Sequence, residues 1–457
     1  MISPRESYTM KPVEVYEALR KWIERQRWYP KGESFDVLEA WKAGENLYVG
    51  VLEIGDTLAF LPLKITRSLP RTLPTHLVVK VNGYFIYEAE FCPEYVDMLL
   101  EGSVPGLKVR VIKKLGRVLR VRPLLLGSTN RLVTVEAEGG LAVLKSYRTL
   151  DPSNFEAKFI EYLSGDLAPQ LYARCVWKEL NVSVVTEYVD VDREVGEYFH
   201  TSAVTSLREG RIVLPLKGAV LASSFIASLH KRMAKCEACW CRRGVVGEED
   251  IGKWMKRLNV YSKSARGNAI RLLGREAAEL IDSRVDRAAG LFEEFRGKVK
   301  LRTHQDLHLG QIVQAKDRLL ALDFEGEPAR RDRGSLEPPI RDVACTMRSL
   351  TYIAFYAALK VLKLSPAELA QLILRDKVSL VKLWVLRTSR LLLELYLAET
   401  LDQAPYIHGL RSGLRAWGEK VVEAWLVERG LYEALYESHY RPAKTLVPLL
   451  GLAALGP

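Results

Sequence analysis

Asp306, Gln311 and Asp323 are the residues of this chain whose types and spacing best suit a chemical reaction. The first aspartate is followed by a carboxamide five positions later and by a second aspartate seventeen positions later. Kinase-type catalytic loops use that order: the first acid accepts the proton of a substrate hydroxyl, while the carboxamide and the later acid hold Mg²⁺. Mg²⁺ prefers oxygen ligands and leaves its other positions to water and phosphate. The spacing therefore predicts a phosphoryl-transfer site, with Asp306 as catalytic residue and Gln311 and Asp323 as metal ligands.

The residues around these three side chains are predicted to support them. Residues 319–322 form a short apolar run, which predicts a buried strand that delivers Asp323. Glu325 lies two positions after Asp323 and hence on the same side of an extended segment, which makes it a further candidate metal ligand. His304 is predicted to brace the loop through a backbone hydrogen bond rather than to act as a base. The alternative interpretation is an acidic loop that happens to lie beside an unrelated strand.

Composition limits the possible classes of protein. A chain of 457 residues exceeds a comfortable single core, so two or three domains are expected. The contents of 48% hydrophobic and 27% charged residues are typical of a folded globular protein. A net charge of +11 favours anionic ligands such as nucleotide phosphates. Because the lysines and arginines are scattered, without a dense basic tract, we expect no nucleic-acid partner.

The chain is expected to be cytoplasmic and not bound to a membrane. Its first residues lack an apolar core, so no signal peptide is predicted. The longest apolar run, near residues 446–455, is interrupted by Pro448 and is too short to cross a bilayer.

The six cysteines include a cluster formed by Cys236, Cys239 and Cys241. A zinc site would need a fourth ligand, and no second cysteine pair follows at the spacing of a zinc finger. We therefore expect ordinary thiols, with zinc or a disulfide as the alternative. The other three have apolar neighbours and are predicted to lie in a core: Cys92, Cys175 and Cys345.

Residues 1–105 are predicted to form a small α+β cap domain. Apolar residues at helical spacing follow Pro12, and an Asn82-Gly83 turn between two alternating segments predicts a β-hairpin. A further helix is predicted near residues 94–100, before glycines and a proline close the segment.

Residues 106–190 are predicted to form a strand-rich domain that binds a nucleotide. A loop containing Ser128, Thr129 and Asn130 joins two predicted strands, and Lys145 ends the apolar run that follows. In kinase small lobes such a loop covers the phosphates of ATP and such a lysine reaches them. A plain surface lysine is the alternative interpretation of Lys145.

Two further elements of this domain are candidates for nucleotide binding. The helix predicted near residues 154–163 offers Glu156, or as second choice Glu161, as the ion-pair partner that orients Lys145; a solvated helix face is the alternative. The strand over residues 182–189 leads to a predicted hinge between the lobes. Backbone groups at its end, those of Glu187 to Val189, are predicted to bind adenine.

After residue 190 long amphipathic stretches predict an almost wholly helical domain, residues 191–457, which contains the catalytic loop. A β-rich N-lobe and a helical C-lobe, preceded by the cap domain, predict an α+β, two-lobed protein-kinase-like fold.

Several motifs resemble those of the maltokinase family, within the aminoglycoside-phosphotransferase-like branch of kinase folds. The most specific lies at residues 302–311 together with 323–330, and others lie at 25–29, 144–148, 341–350 and 432–442. The resemblance implies that the chain transfers the γ-phosphate of ATP, with Mg²⁺, to the anomeric hydroxyl of maltose to give maltose 1-phosphate. It also implies a functional link to a trehalose synthase, in a pathway from trehalose towards α-glucans. A glucosamine kinase, another small-molecule phosphotransferase and a non-catalytic binding protein are the alternatives.

The acceptor is predicted to contact Asp306 and residues near it or near the C-terminus. His308 either lines the site or packs. Tyr432 and Tyr436 are candidates to stack on a sugar, while Glu433 and Glu437 are candidates to bind its hydroxyls. At helical i, i+4 spacing, packing of the tyrosines and solvation of the glutamates are equally plausible. Arg341 and Asp342 are predicted to form a structural pair behind the catalytic loop, with a position of Arg341 near phosphate as the alternative.

Overall fold

The computed structural model describes residues 11–68, 73–74, 77–125, 129–330 and 332–455. The chain divides into two compact units, Met1–Asp190 and Val191–Pro457. The first unit is rich in strands and the second is mainly helical. The division falls at the predicted end of the strand-rich part, whereas the separate cap domain over residues 1–105 stays a prediction.

Among its described residues, the first unit contains two antiparallel sheets and four α-helices. The strands of its first sheet are β1 (Phe35–Gly44), β2 (Leu47–Ile54), β3 (Thr57–Thr66), β4 (Val79–Val81), β5 (Tyr84–Glu88) and, paired with β3, β10 (Thr149–Leu150). Those of its second sheet are β6 (Lys108–Val111), β7 (Val118–Leu125), β8 (Arg131–Ala137), β9 (Gly140–Ser146), β11 (Leu171–Trp177) and β12 (Leu180–Glu187). The helices are α1 (Pro12–Ala18), α2 (Arg20–Ile23), α3 (Pro93–Glu101) and α4 (Glu156–Leu163).

Strand β2 is buried on both faces because it separates two cores. Leu47, Val49 and Val51 join the core between the two sheets, while Tyr48 and Leu52 face the core covered by α1. The predicted hairpin is confirmed, with Asn82-Gly83 between β4 and β5. Residues on both sides of position 105 contribute to the core between the sheets.

Ten helices are described in the second unit. They are α5 (Gly196–Glu209), α6 (Leu216–Met233), α7 (Glu248–Leu272), α8 (Arg275–Leu291), α9 (Ile340–Leu362), α10 (Pro366–Leu374), α11 (Ser379–Glu399), α12 (Ala404–Ile407), α13 (Leu414–Tyr440) and α14 (Leu446–Leu450). Helix α13 packs against α7, α8 and α9. A search of the described residues found no helix with the length and apolar character that spanning a membrane requires.

Two small antiparallel sheets interrupt these helices. One pairs β14 (Gly244–Val245) with β15 (Val299–Lys300), and the other contains β13 (Arg193–Glu194), β16 (Ile312–Ala315) and β17 (Arg318–Ala321). The segment predicted to be catalytic, called the catalytic loop below, runs from β15 to β16, and β17 leads directly to Asp323. The strand predicted before Asp323 is thereby confirmed.

The expectation of ordinary thiols is wrong for two of the clustered cysteines. Cys236 and Cys241 form a disulfide, while Cys239 is a free, exposed thiol. The five-residue separation lets the turn after α6 bring the two sulfur atoms together. The remaining free cysteines are buried, as predicted: Cys92, Cys175 and Cys345.

Candidate functional site

Lys145 and Glu156 form an ion pair in the first unit, as predicted. Leu144 points into the core between the sheets, so its neighbour Lys145 points to the opposite face of β9. The Lys145 Nζ lies 2.8 Å from a carboxylate oxygen of Glu156, at the start of α4. Tyr147 donates a hydrogen bond of 2.8 Å to the same oxygen. The second choice, Glu161, instead pairs with Arg110 and is held away from Lys145.

The other residues predicted to bind the nucleotide lie in the loop before β8 and at the end of β12. Asn130 accepts a hydrogen bond from the backbone of Arg148 at 3.2 Å, and Thr129 is exposed. Ser128 lies outside the described residues. The backbone N–H of Glu187 donates to Gln170, whose own N–H donates to the Glu187 carboxylate. Val189 is half-buried just after β12; the roles of all these residues stay predictions.

In the second unit, the catalytic loop is held by the carboxylate of Asp342. The backbone N–H groups of His304 and Gln305 each donate to it at 2.8 Å, one to each oxygen. Gln305 has a φ of +68°, a left-handed conformation that costs a non-glycine residue about 1–3 kcal/mol. His230 lies 3.3 Å from the same carboxylate. Burial opposes the charge of Asp342, but these partners outweigh it and lower the pKa of the carboxyl below its ordinary value.

Helix α9 contributes two further groups from the same face as Asp342. The hydroxyl of Thr346 donates to the carbonyl of Leu307 at 2.7 Å, and Ser349 accepts a hydrogen bond from the N–H of Leu309 at 3.0 Å. Positions 342, 346 and 349 recur at the helical spacing of i, i+4 and i+7, so one face of α9 holds the loop at three points.

The prediction that His304 braces the loop is confirmed, since its Nε2–H donates to the carbonyl of Leu322 at 3.0 Å. The predicted pairing of Arg341 with Asp342 is wrong. Arg341 instead binds Glu327 at 2.7 Å and Glu428 at 3.2 Å. Consecutive helical residues point in different directions, which prevents the pairing that the sequence suggested.

Asp306 lies within this braced segment and is half-buried. Its Oδ1 lies 2.6 Å from Nη2 of Arg429, on helix α13. Arg429 also binds Glu327 at 2.6 Å and Glu433 at 3.0 Å. Glu327 is fully buried, which opposes its ionisation, yet the arginines around it lower its pKa to about 2. Asp306 is thus anchored to a buried network of arginines and glutamates.

The three predicted metal ligands lie near one another in the second unit. The Gln311 Nε2 is 3.4 Å from an Asp323 carboxylate oxygen, and carboxylate oxygens of Asp323 and Glu325 lie within 4.8 Å of each other. Asp323 is exposed and has a φ of +59°. One amide oxygen and two carboxylates are hard oxygen donors, so this set fits the preferences of Mg²⁺. Their role as ligands stays a proposal.

A cavity of about 580 Å³ opens beside these residues, within the usual range for small-ligand sites. Its lining includes Asp306, Asp323 and His308 as well as one face of α13. Burial lowers the pKa of His308 below its ordinary value, so the imidazole is neutral at neutral pH. Of the two interpretations of His308, a position in the cavity lining is the one that the structure shows, and its contact with an acceptor stays a prediction.

Helix α13 brings the four C-terminal candidates to the cavity. Tyr432 and Tyr436 stack with ring centroids 6.1 Å apart, and both line it. Glu433 and Glu437 line it too and are buried rather than solvated. Burial raises the pKa of Glu437 above its ordinary value, although Arg441, 2.8 Å away, opposes that rise. The structure thus contradicts the solvated-face interpretation of both glutamates.

Arg429 and Glu327 are site residues that the sequence analysis missed. The signal available for Arg429 was its spacing, since Arg429-Glu433 and Glu437-Arg441 are both i, i+4 pairs on one helix. Glu327 belongs to the most specific motif, but nothing in its spacing distinguishes a buried anion from a ligand.

Comparison with known proteins agrees with this architecture. No protein-family model matches the chain. The glucosamine kinase of Mycolicibacterium smegmatis (strain ATCC 700084 / mc(2)155) is 26% identical over 350 residues, which cover 73% of this chain and 79% of the relative.

Solved glucosamine kinases share the fold. The complex with glucosamine, ADP and inorganic phosphate superposes with a TM-score of 0.66 at 18% identity, over 100% of both chains. Crystal form A of glucosamine kinase gives a TM-score of 0.65 at 18% identity, over 100% of this chain and 99% of the other. The chain has the α+β kinase-like fold of these proteins. The predicted fold class is confirmed, whereas membership of the maltokinase family stays a prediction.

Proposed function

We propose that this protein is an ATP-dependent kinase that phosphorylates a hydroxyl group of a sugar. The observation that carries the proposal is the arrangement of the second unit: Asp306 is held on a braced loop, next to oxygen donors suited to Mg²⁺, at the wall of a sugar-sized cavity. The similarity to glucosamine kinases supports it.

Each residue has a defined part in the proposed reaction. Asp306 orients the acceptor hydroxyl and takes its proton as the oxygen attacks the γ-phosphorus of ATP. The bond from that phosphorus to the β,γ-bridging oxygen breaks, and ADP leaves. Lys145, aligned by Glu156, neutralises phosphate charge. Gln311 and Asp323, with Glu325, would hold Mg²⁺, which neutralises the charge that develops on the phosphates. Catalysis by these groups is mainly alignment and charge stabilisation.

Maltose is the acceptor that the sequence motifs favour, phosphorylated at its anomeric hydroxyl. The stacked Tyr432 and Tyr436 offer apolar surface against which a sugar ring packs. A functional link to a trehalose synthase depends on this acceptor and is proposed with it.

Glucosamine is the second candidate, and the charge of the cavity favours it. The lining includes two carboxylates, Glu194 and Glu197, that belong neither to the arginine network on α13 nor to the proposed Mg²⁺ site, and Glu197 lies 3.6 Å from Arg193. Because an amino sugar is cationic near neutral pH, Glu194 offers it a counter-ion that neutral maltose does not need. Of the two acceptors, the amino sugar is the one we favour.

The test is ATP-dependent ADP release with maltose, glucosamine, glucose and an aminoglycoside as acceptors. We expect turnover with glucosamine at a higher kcat/KM than with maltose. The reverse order would make maltose the assigned acceptor.

Asp306→Asn is expected to lower kcat by about 10²–10⁴-fold. Asp317→Asn, a change at an exposed turn residue between β16 and β17, is the matched control and should keep the wild-type rate. A protein that binds nucleotide but turns over no acceptor would refute the proposed function.

A further inference from the structure

The guanidinium of Arg429 binds three carboxylates through its three nitrogen atoms. Nη2 binds Asp306 at 2.6 Å, Nη1 binds Glu327 at 2.6 Å and Nε binds Glu433 at 3.0 Å. The ring of Tyr432 lies against the guanidinium, 5.1 Å from its central carbon. A planar group held by partners along its edges and by a ring on one face has little freedom to move.

The three carboxylates come from separate parts of the chain. Asp306 belongs to the catalytic loop, Glu327 follows the metal-site residues, and Glu433 lies one turn further along α13. Glu327 is itself fixed by Arg341, whose Nη1 donates to the carbonyl of Gln305 at 3.2 Å. The backbone of the loop and the side chain of Asp306 are therefore held by one connected network.

We propose that Arg429 is a positioning residue that fixes the carboxylate of Asp306 for proton transfer, an inference that rests on the proposed function. The ion pair engages Oδ1 and so sets the rotation of the carboxylate about its side-chain bonds. The Oδ2 atom is thereby presented in a constant direction to the acceptor hydroxyl. A base displaced by about 1 Å from its productive position loses much of its contribution to the rate.

This role differs from direct binding of the sugar. Arg429 directs each of its three nitrogen atoms to a carboxylate. Glu433, which also lines the cavity, keeps its bonds to Arg348 when Arg429 is changed, so the contribution of Arg429 to the acceptor passes through Asp306. Its loss should therefore change kcat far more than the KM for the acceptor. In a protein that already lacks the Asp306 carboxylate, the same change should have no further effect on kcat.

A matched control is available in Arg257, on helix α7. The side chains of Arg257 and Arg429 are each 9% exposed. Arg257 likewise pairs with three carboxylates, of Asp332, Glu337 and Glu428, none of which is Asp306. A general effect of shortening a buried, triply paired arginine should thus appear equally in Arg257→Lys.

The experiment is a double-mutant cycle with Arg429→Lys, Asp306→Asn and the double variant, measured with the acceptor that the wild type prefers. Arg429→Lys keeps the charge but loses the planar fork, and we expect kcat to fall about 10- to 100-fold. The KM for the acceptor should change less than about threefold, as expected when an interaction acts mainly in the transition state. The double variant should be as slow as Asp306→Asn, and Arg257→Lys should stay close to wild type.

The outcomes separate this inference from the proposed function. A wild-type protein without turnover refutes the function itself. With an active wild type, the positioning role is wrong if Arg429→Lys keeps more than half of kcat, or if it slows Asp306→Asn further by the same factor. An equal loss in Arg257→Lys would also overturn it. Melting curves of every variant show whether it is folded. If Arg429→Lys does not fold, Arg429→Gln replaces it in the cycle.

Discussion

Replacing Asp342 by asparagine tests whether the catalytic loop is held by a single buried carboxylate. The two oxygens accept one backbone N–H each, from His304 and Gln305, both at 2.8 Å. An asparagine has one acceptor oxygen, and its NH₂ group would face a donor instead of accepting from it. At most one of the two loop bonds can therefore survive.

The magnitude follows from these contacts. Losing a hydrogen bond to a charged group costs about 1.5–3 kcal/mol, and an N–H left buried without a partner adds about 1–3 kcal/mol. We therefore expect the free energy of unfolding to fall by about 3 kcal/mol. For a unit of this size, that corresponds to a melting temperature lower by about 6 °C. Because Asp306 directly follows Gln305 in the loop, a shift of about 1 Å there should lower kcat about 100-fold.

The assay combines thermal unfolding with ADP release in the Asp342→Asn variant. Asp286→Asn serves as control because Asp286 is an exposed aspartate of helix α8, away from the loop. The control should match the wild type in both measurements. If Asp342→Asn also kept its melting temperature and more than half of its kcat, the loop would not depend on this carboxylate.

The pH dependence of stability gives an independent check. The pKa of Asp342 is lowered in the folded protein, so its ionised form stabilises the fold at every pH above the ordinary aspartate value of about 3.9. This stabilisation is lost as the pH falls through the lower, folded-state pKa. The stability difference between wild type and Asp342→Asn should hence be constant above about pH 4 and shrink below it. A difference that grew on acidification would contradict the assigned shift.

Two further changes probe other parts of the molecule. Lys145→Met removes the partner of Glu156 and should lower kcat/KM for ATP about 10²- to 10³-fold while the acceptor KM changes little; an unchanged value would exclude Lys145 from phosphate binding. Replacing Cys236 and Cys241 by serine opens a short disulfide-closed loop and should lower the free energy of unfolding by about 2 kcal/mol. This change should appear as a melting temperature lower by about 4 °C. The control Cys239→Ser, at a free thiol, should leave the melting temperature unchanged.

Features that depend on short stretches of chain could be predicted from the sequence. Gln311, Asp323 and the strand between them lie within seventeen residues of Asp306, so local order was enough to bring them together. Lys145 and Glu156 are likewise close in sequence, and the order of strand and helix indicated that they would pair. The Asn-Gly turn between two alternating segments predicted the hairpin of β4 and β5 for the same reason.

Features that depend on distant parts of the chain could not. Arg429 lies 123 positions from Asp306, and no local periodicity reports that such residues meet. The burial of Glu433 depends on Arg348, 85 positions away, and not on its own helix alone. The oxidation state of Cys236 and Cys241 has no signature in spacing, because the same pattern suits thiols, zinc and a disulfide.

The position of Glu327 explains why the most specific motif identifies a fold more readily than a substrate. Glu327 is fully buried and binds Arg341 and Arg429, so it ties the segment after Asp323 to helices α9 and α13. A residue with that task is required whatever the acceptor is. In the proposed function, the acceptor instead meets the cavity-lining face of α13, to which Tyr436 and Glu437 belong. Since sugar kinases with different acceptors can share the scaffold and differ on that face, exchanging residues such as Glu437 should change the preferred acceptor without disturbing the loop.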